Sequence, residues 1–104
     1  MSKVIPLVTA PYAGDYRSIE ALVKKLWLEG AVEIVDHAQD RMEEHSLDIF
    51  DVRHVLFSGR VTRHTQEIPG CWRYIFTGKT IDGDRARCVV EVDSEAKLIT
   101  VFRL

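Results

Sequence analysis

A chain of 104 residues with 46% apolar content is long enough to close one hydrophobic core and too short for two, so these residues are expected to form one domain. A formal net charge of −2 and a pI near 6.1 exclude a global basic field, so any site for a polyanion has to be a local cluster of cations. Two cysteines, Cys71 and Cys88, exclude a disulfide framework and lack metal-ligand spacing; both are expected as buried free thiols of a cytoplasmic protein.

Residues 1–14 (MSKVIPLVTAPYAG) carry two prolines and a glycine among a few apolar side chains, a composition that suits an extended arm better than a helix. The apolar stretch from Val4 to Ala10 is short and broken by Pro6, so it makes a poor secretory signal, and nothing in the chain approaches a membrane span. Residues 15–104 form the single domain. From Asp15 the pattern is helical: Ile19, Leu22, Val23 and Leu26 recur at three- and four-residue spacing, with Asp15 or Ser18 as N-cap and Gly30 as the stop. Arg17, Glu20, Lys24 and Lys25 lie on the other side, an ordinary solvated face.

The β-branched run Val32-Glu33-Ile34-Val35 reads as a strand, and helical spacing begins within a residue or two of Asp36. That junction puts Asp36, His37, Asp40 and Arg41 at a strand end and in the first turn of a helix, the kind of position that faces open clefts in small α/β folds. The helix runs from about Ala38 to His45, with Ala38 and Met42 on one face. Ser46 is read as the N-cap of the next helix, about Leu47 to Phe57, whose stripe is Ile49, Val52, Val55 and Leu56 and which Gly59 closes. Two helices this short are marginal alone and need a sheet to pack on.

The sheet is expected in the remaining residues. Strands are read at Arg60 to Gln66, Trp72 to Thr80, Arg85 to Asp93 and Lys97 to Arg103, an antiparallel meander. Asp82-Gly83 is the strongest hairpin signal and suggests a two-residue type I′ turn. That turn sets a register in which Ile75 faces Val90 and Thr77 faces Cys88, so Ile75, Ala86, Cys88, Val90, Val92, Leu98 and Phe102 share the apolar face. Trp72, Tyr74, Phe76, Arg85, Arg87, Val89, Glu91, Ile99 and Val101 then share the other, with Tyr74 opposite Glu91. The expected fold class is α+β, N-terminal helices packed on one face of an antiparallel meander in the order α-β-α-α-β-β-β-β.

The ordered set His37-Ala38-x-x-Arg41-Met42-x-Glu44, the helix after Ser46 ending at Gly59, then Gly70-x-x-Arg73-Tyr74, Gly78, Asp82-Gly83, Cys88-Val89-Val90 and Ile99-Thr100 resembles the bacterial family catalogued as domain of unknown function 4258. The match covers about residues 34 to 102. Members of that family look like relatives of the RelE and BrnT toxins, small α+β ribonucleases that cleave messenger RNA without a metal and are neutralised by a partner antitoxin. The resemblance therefore implies a RelE-like fold, RNA as substrate, an antitoxin as partner, and no cofactor or metal. Where family members usually carry a glycine ahead of the second helix, this chain runs Glu44-His45-Ser46.

Metal-free RNA cleavage needs a group that takes the 2′-OH proton, cations for the charge that gathers on phosphorus, and a proton for the leaving 5′ oxygen. His37 is the candidate acid or base, Arg41 one turn later a phosphate holder, and Arg87 a second cation, with Tyr74 as stacking surface or proton donor. These four are the candidate catalytic set; Arg73, Arg85, Glu91 and Trp72 are candidates for substrate binding. Each has a plainer reading: a capping or satisfied core histidine for His37, a salt bridge to Asp40, Glu44 or Glu91 for Arg41, sheet packing for Tyr74 and Trp72. His45, His54 and His64 are too far apart in sequence to make a metal motif. The cluster Arg53, Arg60, Arg63 and His64 around Gly59 suits an RNA contact or a solvated helix end equally. The alternative to a nuclease is a non-catalytic interaction module that binds a partner protein through the open sheet face or the N-terminal arm; a homodimer is left open.

Overall fold

The computed structural model describes residues 15–93 and 95–104, with Glu67 and Ile68 described by their backbone alone. The N-terminal arm read at residues 1–14 lies outside the described residues. Helix α1 spans Tyr16–Leu28, strand β1 Val32–Ile34, helix α2 Asp36–Glu44 and helix α3 Ile49–Ser58. Strands β2 (Arg60–Ile68), β3 (Cys71–Lys79), β4 (Arg85–Val92) and β5 (Ala96–Arg103) follow.

The sheet order is β1-β5-β4-β3-β2. β2 to β5 form an antiparallel meander, but β1 pairs with β5 in parallel, Val32 beside Ala96 and Ile34 beside Leu98. The expectation of a purely antiparallel sheet is corrected accordingly: the run from Val32 joins the sheet edge, because the chain passes through two helices and three strands before returning beside it. The protein is a mixed α+β domain with three helices on one side of a five-stranded sheet.

Local chemistry explains the helix ends. Asp15 caps α1, its carboxylate accepting from Ser18 N at 3.2 Å and from the Ser18 hydroxyl at 2.7 Å. The N-cap of α3 is Asp48 rather than Ser46: Asp48 Oδ1 accepts from Phe50 N and Asp51 N, and Asp51 Oδ2 accepts from Asp48 N, a reciprocal capping box. Ser46 instead terminates α2. It sits at φ 55°, with Ser46 N donating to Glu43 O and Leu47 N to Met42 O, the pattern of a left-handed helix stop in which glycine is the usual residue.

Gly59 and Gly78 let α3 dock backbone to backbone on β3. A Cβ on Gly59 would lie 2.5 Å from Thr77 O, and one on Gly78 would lie 2.9 Å from the Gly59 Cα. The core fills the space between helices and sheet with Ile19, Leu22 and Val23 of α1, Val52, Val55 and Leu56 of α3, and Tyr74, Phe76, Cys88, Val90, Leu98 and Val101 of the sheet. At one corner the buried Glu20 carboxylate ties α1 to β2: it accepts from Val61 N at 2.9 Å, from Arg60 at 3.1 Å and from Arg17 at 3.2 Å. Burial pushes the Glu20 pKa up, and these hydrogen bonds outweigh it, so the carboxyl is held below its ordinary value.

The register between β3 and β4 differs by one residue from the one a type I′ turn would set. Tyr74 pairs with Val90 and Phe76 with Cys88; Ile75 pairs with Val89 and Thr77 with Arg87. The cause is the turn. Gly83 N donates to Thr80 O, Gly83 has φ 92°, and Thr80 N donates to Asp84 O, which makes a three-residue loop, Ile81 to Gly83, ending in a left-handed glycine. Asp82 does not take the positive φ that a type I′ turn requires. Asp51 Oδ1 of α3 accepts from Ile81 N at 3.1 Å and holds the loop in this form.

Because side chains alternate along a strand, the one-residue shift moves a whole set of side chains to the other face. Trp72, Tyr74, Phe76 and Val101 join the covered face, and Ile75 and Phe102 join the open one, against the expectation for all six. β5 adds an irregularity of its own: Val89 pairs with Thr100 and Val90 with Leu98, so Ile99 is an extra residue.

Candidate functional site

The sheet face away from the helices carries no fully buried side chain among the described residues, and it is where charge collects. Across β2 to β5 the side chains fall into rows. One row runs Thr62, Thr77, Arg87 and Phe102; the next Arg63, Ile75, Val89 and Thr100; the third Thr65, Arg73, Glu91 and Lys97. Lys79 and Arg85 pair with each other at the hairpin end. Arg73 and Lys97 flank Glu91 in its own row, with Glu33 of β1 beyond Lys97, while Arg63, Arg87, Lys79 and Arg85 lie in successive rows toward the hairpin end. A chain of net charge −2 has sorted six cations onto one face of its sheet.

Two of the arginines are held. Arg73 Nε donates to Glu91 Oε2 at 3.3 Å, and that carboxylate is only 16% exposed. Arg87 Nε donates to Thr77 Oγ1 at 3.2 Å, and the Thr77 and Thr62 hydroxyls lie 3.0 Å apart. Thr62 Oγ1 in turn donates to Ile75 O at 3.3 Å, which assigns the Thr77 hydroxyl as donor to Thr62 and leaves its oxygen free to accept from Arg87. The relay holds the guanidinium at its Nε and draws it toward β3.

The sequence-derived candidates divide over three places. Arg73, Arg85, Arg87 and Glu91 come together on the open face. His37 and Arg41 lie together on α2, with Arg41 Nε 3.5 Å from His37 Nε2 and Arg41 Nη1 bonded to Glu44 at 2.9 Å; both are at the surface and no hydrogen bond joins them to the open face among the described residues. Tyr74 and Trp72 lie on the covered side. Tyr74 is 0% exposed, and its hydroxyl has no hydrogen-bond partner among the described residues. Burial, with the Tyr16 hydroxyl nearby, pushes its pKa up to about 12. The tyrosine expected to stand beside Glu91 is therefore separated from it by the thickness of the sheet, while Arg73 sits squarely among the other cations.

Around Tyr74 the side chains form an aromatic corner. The Tyr16 hydroxyl is 2.7 Å from His64 Nδ1, and the His64 ring lies 5.6 Å from Trp72 and 6.5 Å from Tyr74. Of the basic cluster near Gly59, Arg60 is tied to Glu20 and His64 to Tyr16, so Arg63 alone joins the open face. Cys88 is buried and Cys71 half-buried, both as free thiols, and burial pushes the Cys88 thiol up.

Sequence reasoning missed Arg63, Lys79, Lys97, Thr77 and Phe102 as members of this face. The signal was present in the alternation itself: Trp72, Tyr74 and Phe76 against Arg73, Ile75 and Thr77, and Ala86, Cys88, Val90 and Val92 against Arg85, Arg87, Val89 and Glu91. Read strand by strand, both patterns put the arginines outward.

Among the described residues no group of three or more His, Cys, Asp or Glu side chains is placed to hold a metal ion, and no helix is long and apolar enough to cross a membrane. No curated protein and no solved structure matches the chain. Residues 34–103 match the family model described as a domain of unknown function (DUF4258), which takes in β1's last residue, α2, α3 and the four-stranded meander. The chain belongs to the DUF4258 family.

Proposed function

We propose that the protein acts on RNA through the open face of its sheet, as a RelE/BrnT-like, toxin-type endoribonuclease that needs no metal. The observation that carries this reading is the sorting of charge: six cations and two carboxylates, Glu91 and Glu33, lie on a sheet face that no other element covers among the described residues, in a chain of net charge −2. Phosphate contacts of this kind supply most of the affinity for a nucleic-acid backbone.

The chemistry follows from the same rows. Glu91 is the carboxylate that takes the 2′-OH proton, the 2′ oxygen attacks phosphorus, and the P–O5′ bond breaks to leave a 2′,3′-cyclic phosphate and a 5′-OH that takes its proton from water. Arg73, directly across from Glu91 and bonded to it, stabilises the charge that builds on the phosphoryl oxygens, and Arg87, two rows along β4 toward the hairpin, holds the same RNA backbone. Arg41 on α2, whose Nε donates to His37 Nε2, supplies a further cation for RNA that runs on past the sheet.

The test is incubation of single-stranded RNA with the protein in buffer containing a chelator. Wild type is expected to yield 2′,3′-cyclic phosphate ends. Glu91→Gln is expected to lower the rate about 100-fold or more, and Arg87→Ala about 10- to 1,000-fold, with unfolding curves unchanged. Intact RNA at micromolar protein, or equal rates for all three proteins, overturns the nuclease reading.

A second reading, a non-catalytic module that binds a partner protein, is favoured by the apolar groove lined by Trp27, Gly30, Val32, Ile34 and Ile49, with Leu28 73% and Phe50 56% exposed nearby. A neutralising antitoxin is the partner that fits the toxin-type reading.

A further inference from the structure

Phe102 stands directly across from Arg87 on neighbouring strands, on the open face, and is absent from the side chains packed on the core. The Thr77 relay draws the Arg87 guanidinium toward β3, the strand on the other side of β4 from Phe102. Among the described residues the two Nη groups of Arg87 make no hydrogen bond, so the fork is oriented by its Nε while its outer donors stay uncommitted. Ring and guanidinium then sit about two strand spacings apart, roughly 10 Å, with Val89 and Ile75 as an apolar floor in the adjoining row.

We infer that Phe102 and Arg87 form a nucleotide subsite, in which one unpaired base stacks on the Phe102 ring and the adjoining phosphate is held by the Arg87 fork. This deepens the RNA reading and rests on it. An aromatic ring accepts any base by its π-face, but only when the base is not already stacked in a duplex. A guanidinium already held at its Nε loses less freedom on binding phosphate than a free one. A face that held RNA by charge alone would take single strand and duplex alike; a face with a base platform discriminates between them.

The experiment is fluorescence anisotropy with a 5′-labelled oligouridylate and with an RNA duplex of equal length, both 2′-O-methylated at every residue so that no 2′-OH is left to attack phosphorus. Wild type is expected to bind the single strand about tenfold or more tighter than the duplex. Phe102→Leu is expected to weaken single-strand binding about 5- to 100-fold and leave duplex binding unchanged, and Phe102→Trp to retain the single-strand preference. Because Phe102 lies off the core, both variants are expected to unfold at the wild-type urea midpoint. If Phe102→Leu binds the single strand as wild type does, the subsite is overturned and the charged RNA face stands. If wild type binds neither RNA but binds an acidic peptide, the RNA reading and the subsite fall together.

Discussion

On the helix-covered side of the sheet Tyr74, Phe76, Cys88, Val90 and Leu98 are wholly buried, whereas one residue along the same strands Arg73, Ile75, Arg87, Val89 and Lys97 keep contact with solvent. Both sides are built from the same three strands, and they differ only in what lies opposite. The covered side meets α1, α2 and α3 and is selected for volume; the open side meets nothing among the described residues and is free to collect like charges. The six cations, spread over β2 to β5, repel one another, and among the described residues the Arg73–Glu91 ion pair and Glu33 across from Lys97 offset that repulsion. A surface kept in that state costs stability without packing in return, which is a reason to look for function there.

The largest expected contrast between the faces is in stability. Phe76→Ala should lower the unfolding free energy by about 3–5 kcal/mol, and its neighbour Ile75→Ala by about 1 kcal/mol or less; urea denaturation of both measures the difference. Equal losses would mean that the open face is covered in solution. A smaller effect is expected at the corner where α1 meets β2. The folded-state pKa of Glu20 is depressed, so its contribution to stability is full above the unfolded value of 4.5 and is lost as pH falls through the folded value. Glu20→Gln should flatten the pH dependence of the urea midpoint in that acidic window, and a profile identical to wild type would remove the carboxylate as the pin between α1 and β2.

The smallest change tests which face carries the chemistry. The Tyr74 hydroxyl is buried and unpartnered among the described residues, so Tyr74→Phe should leave stability equal or raise it by up to about 1 kcal/mol, and should leave RNA cleavage untouched. A large loss of cleavage without a loss of stability would return Tyr74 to the reaction and shift the site to the covered side.

Much of this arrangement was legible in the residues. Apolar spacing located α1, α2 and α3, and the β-branched and aromatic runs located the strands, because each signal is local: a helix stripe or a strand alternation needs only its own neighbours. Arg73, Arg85, Arg87 and Glu91 were recognisable as candidates for the same reason, being charged residues interleaved with apolar ones in strands. Gly59 was legible as a helix stop and Gly78 as part of the family pattern, but neither signal shows the approach of two backbones distant along the chain.

The local composition of the chain by itself determined the elements and their amphipathic character. Which way β3 faces was decided only by tertiary contacts. Asp82-Gly83 is compatible with two loop lengths that differ by one residue, and the choice between them was made by Asp51 reaching from α3 to Ile81 N and by the volume of Tyr74 and Phe76 filling the space under the helices. A turn dipeptide carries a preference of a kilocalorie or so, whereas burying two aromatic side chains is worth several. The core therefore set the turn, and with it the company that Arg87 keeps.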